Sequence, residues 1–162
     1  MIAPVCFALF CEDIRREGNG RDTIIGVMPA AIRVSKFPGA LRRFSVYYRI
    51  RLPLDHDPSE RIFINLDADG VSDVQIVDED GLSAESLERL IARTKRQKAP
   101  HVEINARLRL DDFPLIGAGQ IRAVAIVGEQ KLVGGFINVE LRDDATASQQ
   151  PSEQSRCDAR DS

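Results

Sequence analysis

Apolar and polar residues alternate with a period of two over most of the chain, which predicts a protein built mainly from β-strands. The clearest case is Phe44 to Leu52. There Phe44, Val46, Tyr48, Ile50 and Leu52 fall on one face, and Ser45, Tyr47, Arg49 and Arg51 on the other. Successive side chains of a strand point to opposite faces, so this segment should be half-buried. Val102 to Leu110 repeats the pattern, with Val102, Ile104, Ala106, Leu108 and Leu110 set against Glu103, Asn105, Arg107 and Arg109. Arg61 to Leu66 turns Ile62, Ile64 and Leu66 inward, and Asp73 to Val77 predicts a shorter strand. The opening run, Val5 to Ile14, is too dense in apolar residues for alternation and predicts a central strand buried on both faces. Thr23 to Met28 follows it through Gly18-Asn19-Gly20, so the two predict a hairpin, and Ile32 to Val34 resumes after Pro29. Gln120 to Val127 and Leu132 to Leu141 flank the turn Gly128-Glu129-Gln130-Lys131 and predict a second, closing hairpin. Breaks are expected at Phe37-Pro38-Gly39, at Asp55-His56-Asp57-Pro58 and at Phe113-Pro114.

One segment changes period. From Ser83 onward Leu87, Leu90, Ile91 and Thr94 stand at i, i+3, i+4 and i+7, the stripe of a helix buried on one face. Ser83 suits the N-cap and Glu85 the positive end of the helix dipole; Arg93, Lys95, Arg96 and Lys98 suit the negative end. Pro100 prevents continuation, so the helix is predicted over about 83–98. About seven to nine strands with frequent turns predict a mainly β fold, an antiparallel β-sandwich with one amphipathic helix closing an end or covering an edge. A partly open β-barrel is the alternative. From Asp143 to Ser162 no large apolar residue occurs, so residues 1–142 are expected to form the domain and 143–162 a disordered polar tail.

Composition narrows this little. The chain has 162 residues, of which 43% are apolar and 29% charged, the balance of an ordinary globular protein. A formal net charge of −3 gives no global pull toward nucleic acid or an anionic membrane. Cys6, Cys11 and Cys157 make an odd count, and Cys6 and Cys11, five apart on one strand, should face opposite sides and not meet. No basic residue precedes the apolar N-terminal run and Glu12-Asp13 follow it at once, against a signal peptide; the run is also too short to span a bilayer. The expectation is a soluble cytoplasmic protein.

Candidate chemistry fails on spacing. Asn65 to Gly70 resembles the start of a calcium loop, yet the twelfth position, where an EF-hand needs a bidentate Glu, is Ile76. Gly117-Ala118-Gly119 precedes a strand rather than a helix, so it offers no dinucleotide fingerprint. His56 and His101 lack partners at metal-ligand spacing. No catalytic set, metal site or cofactor is called for. Charge, however, is segregated. From Thr23 to Leu54 every charged residue is basic, whereas Asp55 to Asp80 holds nine acidic residues against Arg61 alone. Arg42, Arg43, Tyr47, Arg49 and Arg51 therefore form a candidate interface for an acidic partner, weighed against simple pairing between neighbouring acidic and basic strands. Asp13 and Arg15, two apart on the first strand, are a minor candidate pocket, more readily an ion pair.

The opening Phe7-Ala8-Leu9-Phe10-Cys11-Glu12-Asp13-Ile14-Arg15-Arg16-Glu17, with Gly20-Arg21 and Ile24-Ile25-Gly26-Val27, resembles a family of small bacterial proteins classed as a domain of unknown function. The later Phe-Pro, the alternating strand and the closing hairpin are similar too, over residues 1–142. The resemblance implies a β-sandwich-like fold and carries no activity to any residue.

The leading expectation is a non-enzymatic protein-binding or assembly module with an unknown protein partner, with homodimerisation through an exposed strand edge. A small hydrolase or transferase using loop carboxylates such as Asp67, Asp69 and Asp73 is the rival. Nucleic-acid binding through the Arg42–Arg51 strip ranks third, and no membrane association is expected.

Overall fold

The computed structural model describes residues 3–77 and 81–142, so the expected polar tail, with Cys157, lies outside the described residues. Among the described residues nine strands and one helix follow in the order β1 (Val5–Arg16), β2 (Asp22–Val27), β3 (Ala31–Val34), β4 (Gly39–Leu52), β5 (Ile62–Asp67), β6 (Ile76–Val77), α1 (Ala84–Arg96), β7 (Val102–Leu115), β8 (Gly119–Val127) and β9 (Gln130–Leu141). They form two stacked sheets and no closed barrel: a front sheet in the order β2-β1-β4-β7 and a back sheet in the order β3-β9-β8-β5-β6. Pairing is antiparallel except where β3 runs parallel to β9, so the back sheet is mixed.

Period-two patterning accounts for the core. Phe44, Val46, Tyr48, Ile50 and Leu52 of β4 are all at most 1% exposed and face Ile62, Ile64 and Leu66 of β5 and Ile121, Ala123 and Ala125 of β8. Each large apolar side chain so buried contributes about 1.5–3 kcal/mol. Phe10, Phe44 and Phe113 stack in series with ring centroids 5.8 and 5.2 Å apart. Tyr48 crosses the sandwich and donates its hydroxyl to the Asn65 carbonyl at 3.0 Å, which satisfies the one polar atom of an otherwise apolar layer. The helix forms as its stripe predicts: the Ser83 side chain accepts from Ser86 N–H, and Leu87, Ile91 and Thr94 are buried. It lies over the β4–β5 connection, where Leu54, His56 and Pro58 share a hollow with Glu88 and Ile91.

Several details differ from the sequence expectation. Phe113-Pro114 does not end β7, which continues to Leu115 with Pro114 opposite Ala40 at the far end of the β4–β7 ladder. The closing turn is two residues, since Val127 pairs directly with Gln130, and Gly128 takes the left-handed conformation (φ +58°) that so tight a hairpin requires. The strand expected over Asp73 to Val77 shrinks to Ile76–Val77. The densely apolar β1 is central, as expected, but it is not buried on both faces throughout: Val5 and Phe7 are 49% and 54% exposed.

Two features of β1 position the surface considered next. Its inner side touches β9 at Gly134-Gly135, where a Cβ on Gly134 would lie 2.6 Å from Cys6 Sγ; the absence of side chains there lets the two sheets close. After Cys11, which pairs with Ser45, β1 leaves β4 and continues paired with β2 alone. This departing hairpin folds over the outer face of the front sheet. Ile14 and Ile24 pack on Tyr47 and Cys11 in a small second core, and Asp22 reaches Arg107 on β7.

Candidate functional site

The basic strip is carried by β4, whose odd-numbered residues face outward, and the folded-back hairpin divides it. Ser45 and Tyr47 lie under the hairpin, 3% and 6% exposed, so Tyr47 is a roofed core residue and not a contact surface. Arg42 and Arg43 lie on one side of the roof and Arg49 and Arg51 on the other. Six residues of strand, about 20 Å, separate Arg43 from Arg49. The structure therefore does not bring the five candidate residues into one patch.

The two halves of this face differ in how charge is met. Under the roof Arg107 holds Asp22 through two bonds of 2.7 and 2.8 Å, a fork-to-fork pairing that fixes the hairpin. Arg109 lies 3.0 Å from Asp13, which also receives Arg15 Nε at 3.2 Å and the Ile14 N–H at 2.9 Å. The minor candidate pair Asp13 and Arg15 is thus part of an ion-pair cluster at the hairpin base. The Arg15 hydrogen bond leads in holding the Asp13 carboxyl below the ordinary carboxylate range; partial burial opposes it, and the Ile14 N–H and the charges of Arg109 and Arg15 reinforce it.

On the open half the cations outnumber the carboxylates. Arg49 and Arg51 share one acidic partner, Glu103 on β7, at 3.5 and 3.4 Å, and His101 stands 3.9 Å from the same carboxylate. Arg49 also lies 6.0 Å above the Tyr47 ring, and its Nε is buried without a hydrogen bond. Beside these guanidiniums, Val5, Cys6 and Phe7 complete a cavity of about 320 Å³. Cys6 turns its thiol inward, and burial pushes that thiol up to about 11, so it is not a nucleophile at neutral pH. Phe7 and Val5 escaped the sequence reading because a dense apolar run carries no mark of where its outer face loses cover. The only signal was their sharing of parity with Leu9 and Cys11.

The rival carboxylates do converge: Asp67, Asp69 and Asp73 line one cavity of about 610 Å³ with Ser72 and Lys131. Burial pushes the Asp67 carboxyl up, but Lys131 at 3.2 Å and Arg122 at 4.0 Å outweigh it and hold it below the ordinary range. It is therefore a paired anion rather than a proton donor. Among the described residues no group of three His, Cys, Asp or Glu side chains is placed to hold a metal ion. No helix among the described residues is long and apolar enough to cross a membrane.

Residues 6–140 match the model of a family of unknown function, DUF6941. No curated protein and no solved structure matches the chain.

Proposed function

The chain belongs to family DUF6941, and we propose that it is a non-enzymatic binding module whose open half of the front sheet docks a protein segment combining acidic and apolar side chains. The observation that carries this reading is the unequal pairing at Glu103, where one carboxylate serves both Arg49 and Arg51 beside exposed Phe7 and Val5. Excess cationic charge next to exposed apolar surface is the complement of such a segment. Arg42 and Arg43 belong to a separate, exposed stretch of β4 and add little to this site. The test is capture from native cell extract by wild type and by a folded Arg49→Glu/Arg51→Glu variant. The expected result is a partner held by wild type and lost by the variant; identical captures from both would remove the reading.

A hydrolytic reading draws on the convergence of Asp67, Asp69 and Asp73 in one cavity. It requires a divalent cation to raise the melting temperature of wild type and not of Asp67→Asn. Nucleic-acid binding draws less support, because the hairpin interrupts the cationic strip that a phosphate backbone would follow.

A further inference from the structure

The other feature without a partner is the outer edge of the front sheet. Strand β7 is fourteen residues long and ends the sheet; among the described residues no strand lies on its far side. Its inward residues Ile104, Ala106, Leu108 and Leu110 pack against the core yet stay half-exposed. A long, partly apolar edge of this kind is a template for another strand.

The direction of its main-chain groups follows from the ladder. The Phe10 carbonyl accepts from Met28 N–H at 2.8 Å, on the side of β1 away from β4. Even-numbered residues of β1 therefore turn away from β4 and odd-numbered ones toward it. Carried through the pairs Phe7↔Arg49 and Ile50↔Ile104, this makes the even-numbered residues of β4 and β7 bond to each other. Glu103, Asn105, Arg107 and Arg109 are left with N–H and C=O directed at the open edge.

We propose that β7 pairs antiparallel with β7 of a second copy of this chain about a two-fold axis at Ala106, joining the two front sheets into one continuous sheet. In that register Glu103 stands opposite Arg109 of the second copy, and Asn105 opposite its Arg107, each twice by symmetry. On the inner face Ile104 meets Leu108 and the small Ala106 meets itself on the axis, where non-bonded pairs come closest. Shifting the axis to Arg107 sets that arginine against itself and Glu103 against Asp111; shifting it to Leu108 opposes Arg107 and Arg109. The charge order along the strand thus selects the register, and the interface is isologous and closed. This inference rests on the assembly reading above and supplies one partner for it, but uses the edge of the sheet rather than its outer face, with Glu103 common to both.

Sedimentation of the full chain over a range of concentrations tests it. Wild type is expected to dimerise. Glu103→Arg and Arg109→Glu, each shown to fold by circular dichroism, are expected to self-associate roughly tenfold more weakly or worse, since each opposes like charges twice. An equimolar mixture of the two variants sets opposite charges at both positions and restores the dimer. Amide exchange at Asn105 and Arg107 should slow as wild-type concentration rises, while Ala106 and Leu108, already bonded to β4, stay unchanged. Asn105→Pro, which removes an edge N–H without touching the β4–β7 ladder, gives the same loss where a charge variant fails to fold. A wild type that stays monomeric at every concentration, variants that dimerise as wild type does, or a mixture that recovers nothing overturns the proposal. Arg51→Glu is expected to lose the captured partner and keep the dimer, so the two readings fail separately.

Discussion

Along one outer face of the front sheet, Arg107 holds Asp22 through a two-bond fork and Arg109 reaches Asp13, each a carboxylate of the hairpin above, whereas Arg49 and Arg51 share Glu103 of the neighbouring strand. The four side chains leave adjacent strands with the same parity and differ only in what lies above them. The β1–β2 hairpin supplies Asp22 and Asp13 to the arginines of β7 and covers the apolar surface with Ile14 and Ile24. On the other side nothing among the described residues covers Phe7, and the spare positive charge faces outward. A strand's residues thus acquire structural or recognition roles from the cover they receive rather than from their own pattern.

The contrast is sharpest for the aromatic rings. Tyr47→Ala, beneath the hairpin, is expected to destabilise the protein by about 3 kcal/mol in urea unfolding, and Phe7→Ala in the open half by no more than about 0.5 kcal/mol. Equal losses would mean that the two halves are covered alike. Next in size is the charge contrast. Asp22→Asn breaks a two-bond pairing around a carboxylate that is 9% exposed and is expected to cost about 1–2 kcal/mol. Glu103→Gln acts on exposed pairs and should fall within about 0.5 kcal/mol by the same measurement. A smaller effect concerns Cys11, whose thiol lies buried under the hairpin and bonds toward the Ser45 carbonyl at 3.6 Å. Ile14→Ala should speed its alkylation, read by mass spectrometry, while leaving Cys6 as slow as before; acceleration at both cysteines would point to global loosening instead.

The smallest effect is on acid stability. Because the Asp13 carboxyl titrates below its ordinary value, the folded chain binds fewer protons there than the unfolded chain in the carboxylate range. Its contribution is complete above the unfolded pKa of about 3.9 and is lost as pH falls through the folded value. The melting-temperature difference between wild type and Asp13→Asn should therefore shrink from pH 6 to pH 2; a constant difference would show that Asp13 does not couple to the hairpin through charge.

The legible parts of this molecule were those set by local periodicity. The inward set of β4 and the capped stripe of α1 needed only the spacing of apolar residues and Ser83. The outward face was illegible because its fate depends on contacts between residues far apart in sequence. Asp22 and Arg107 lie 85 positions apart, and no local pattern says that β1 leaves β4 after Cys11. For the same reason the strip from Arg42 to Arg51, continuous in sequence, is two separate surfaces in space. Asp67, Asp69 and Asp73 met as a turn-rich segment allows, but Lys131, which claims Asp67, comes from the closing hairpin.

The glycine pair at Gly134-Gly135 has a dynamic consequence. With Ala8 backbone pressed against β9 there, the sandwich is bound along one spine like a book, and no side chain can be added at Gly134 without prising the binding apart. Breathing motions of the two sheets must then open at the fore-edge, along β7, where the inward leucines already meet solvent. Among the described residues β7 is a long strand with one side unpaired, and a strand added there would still such motions as it bound.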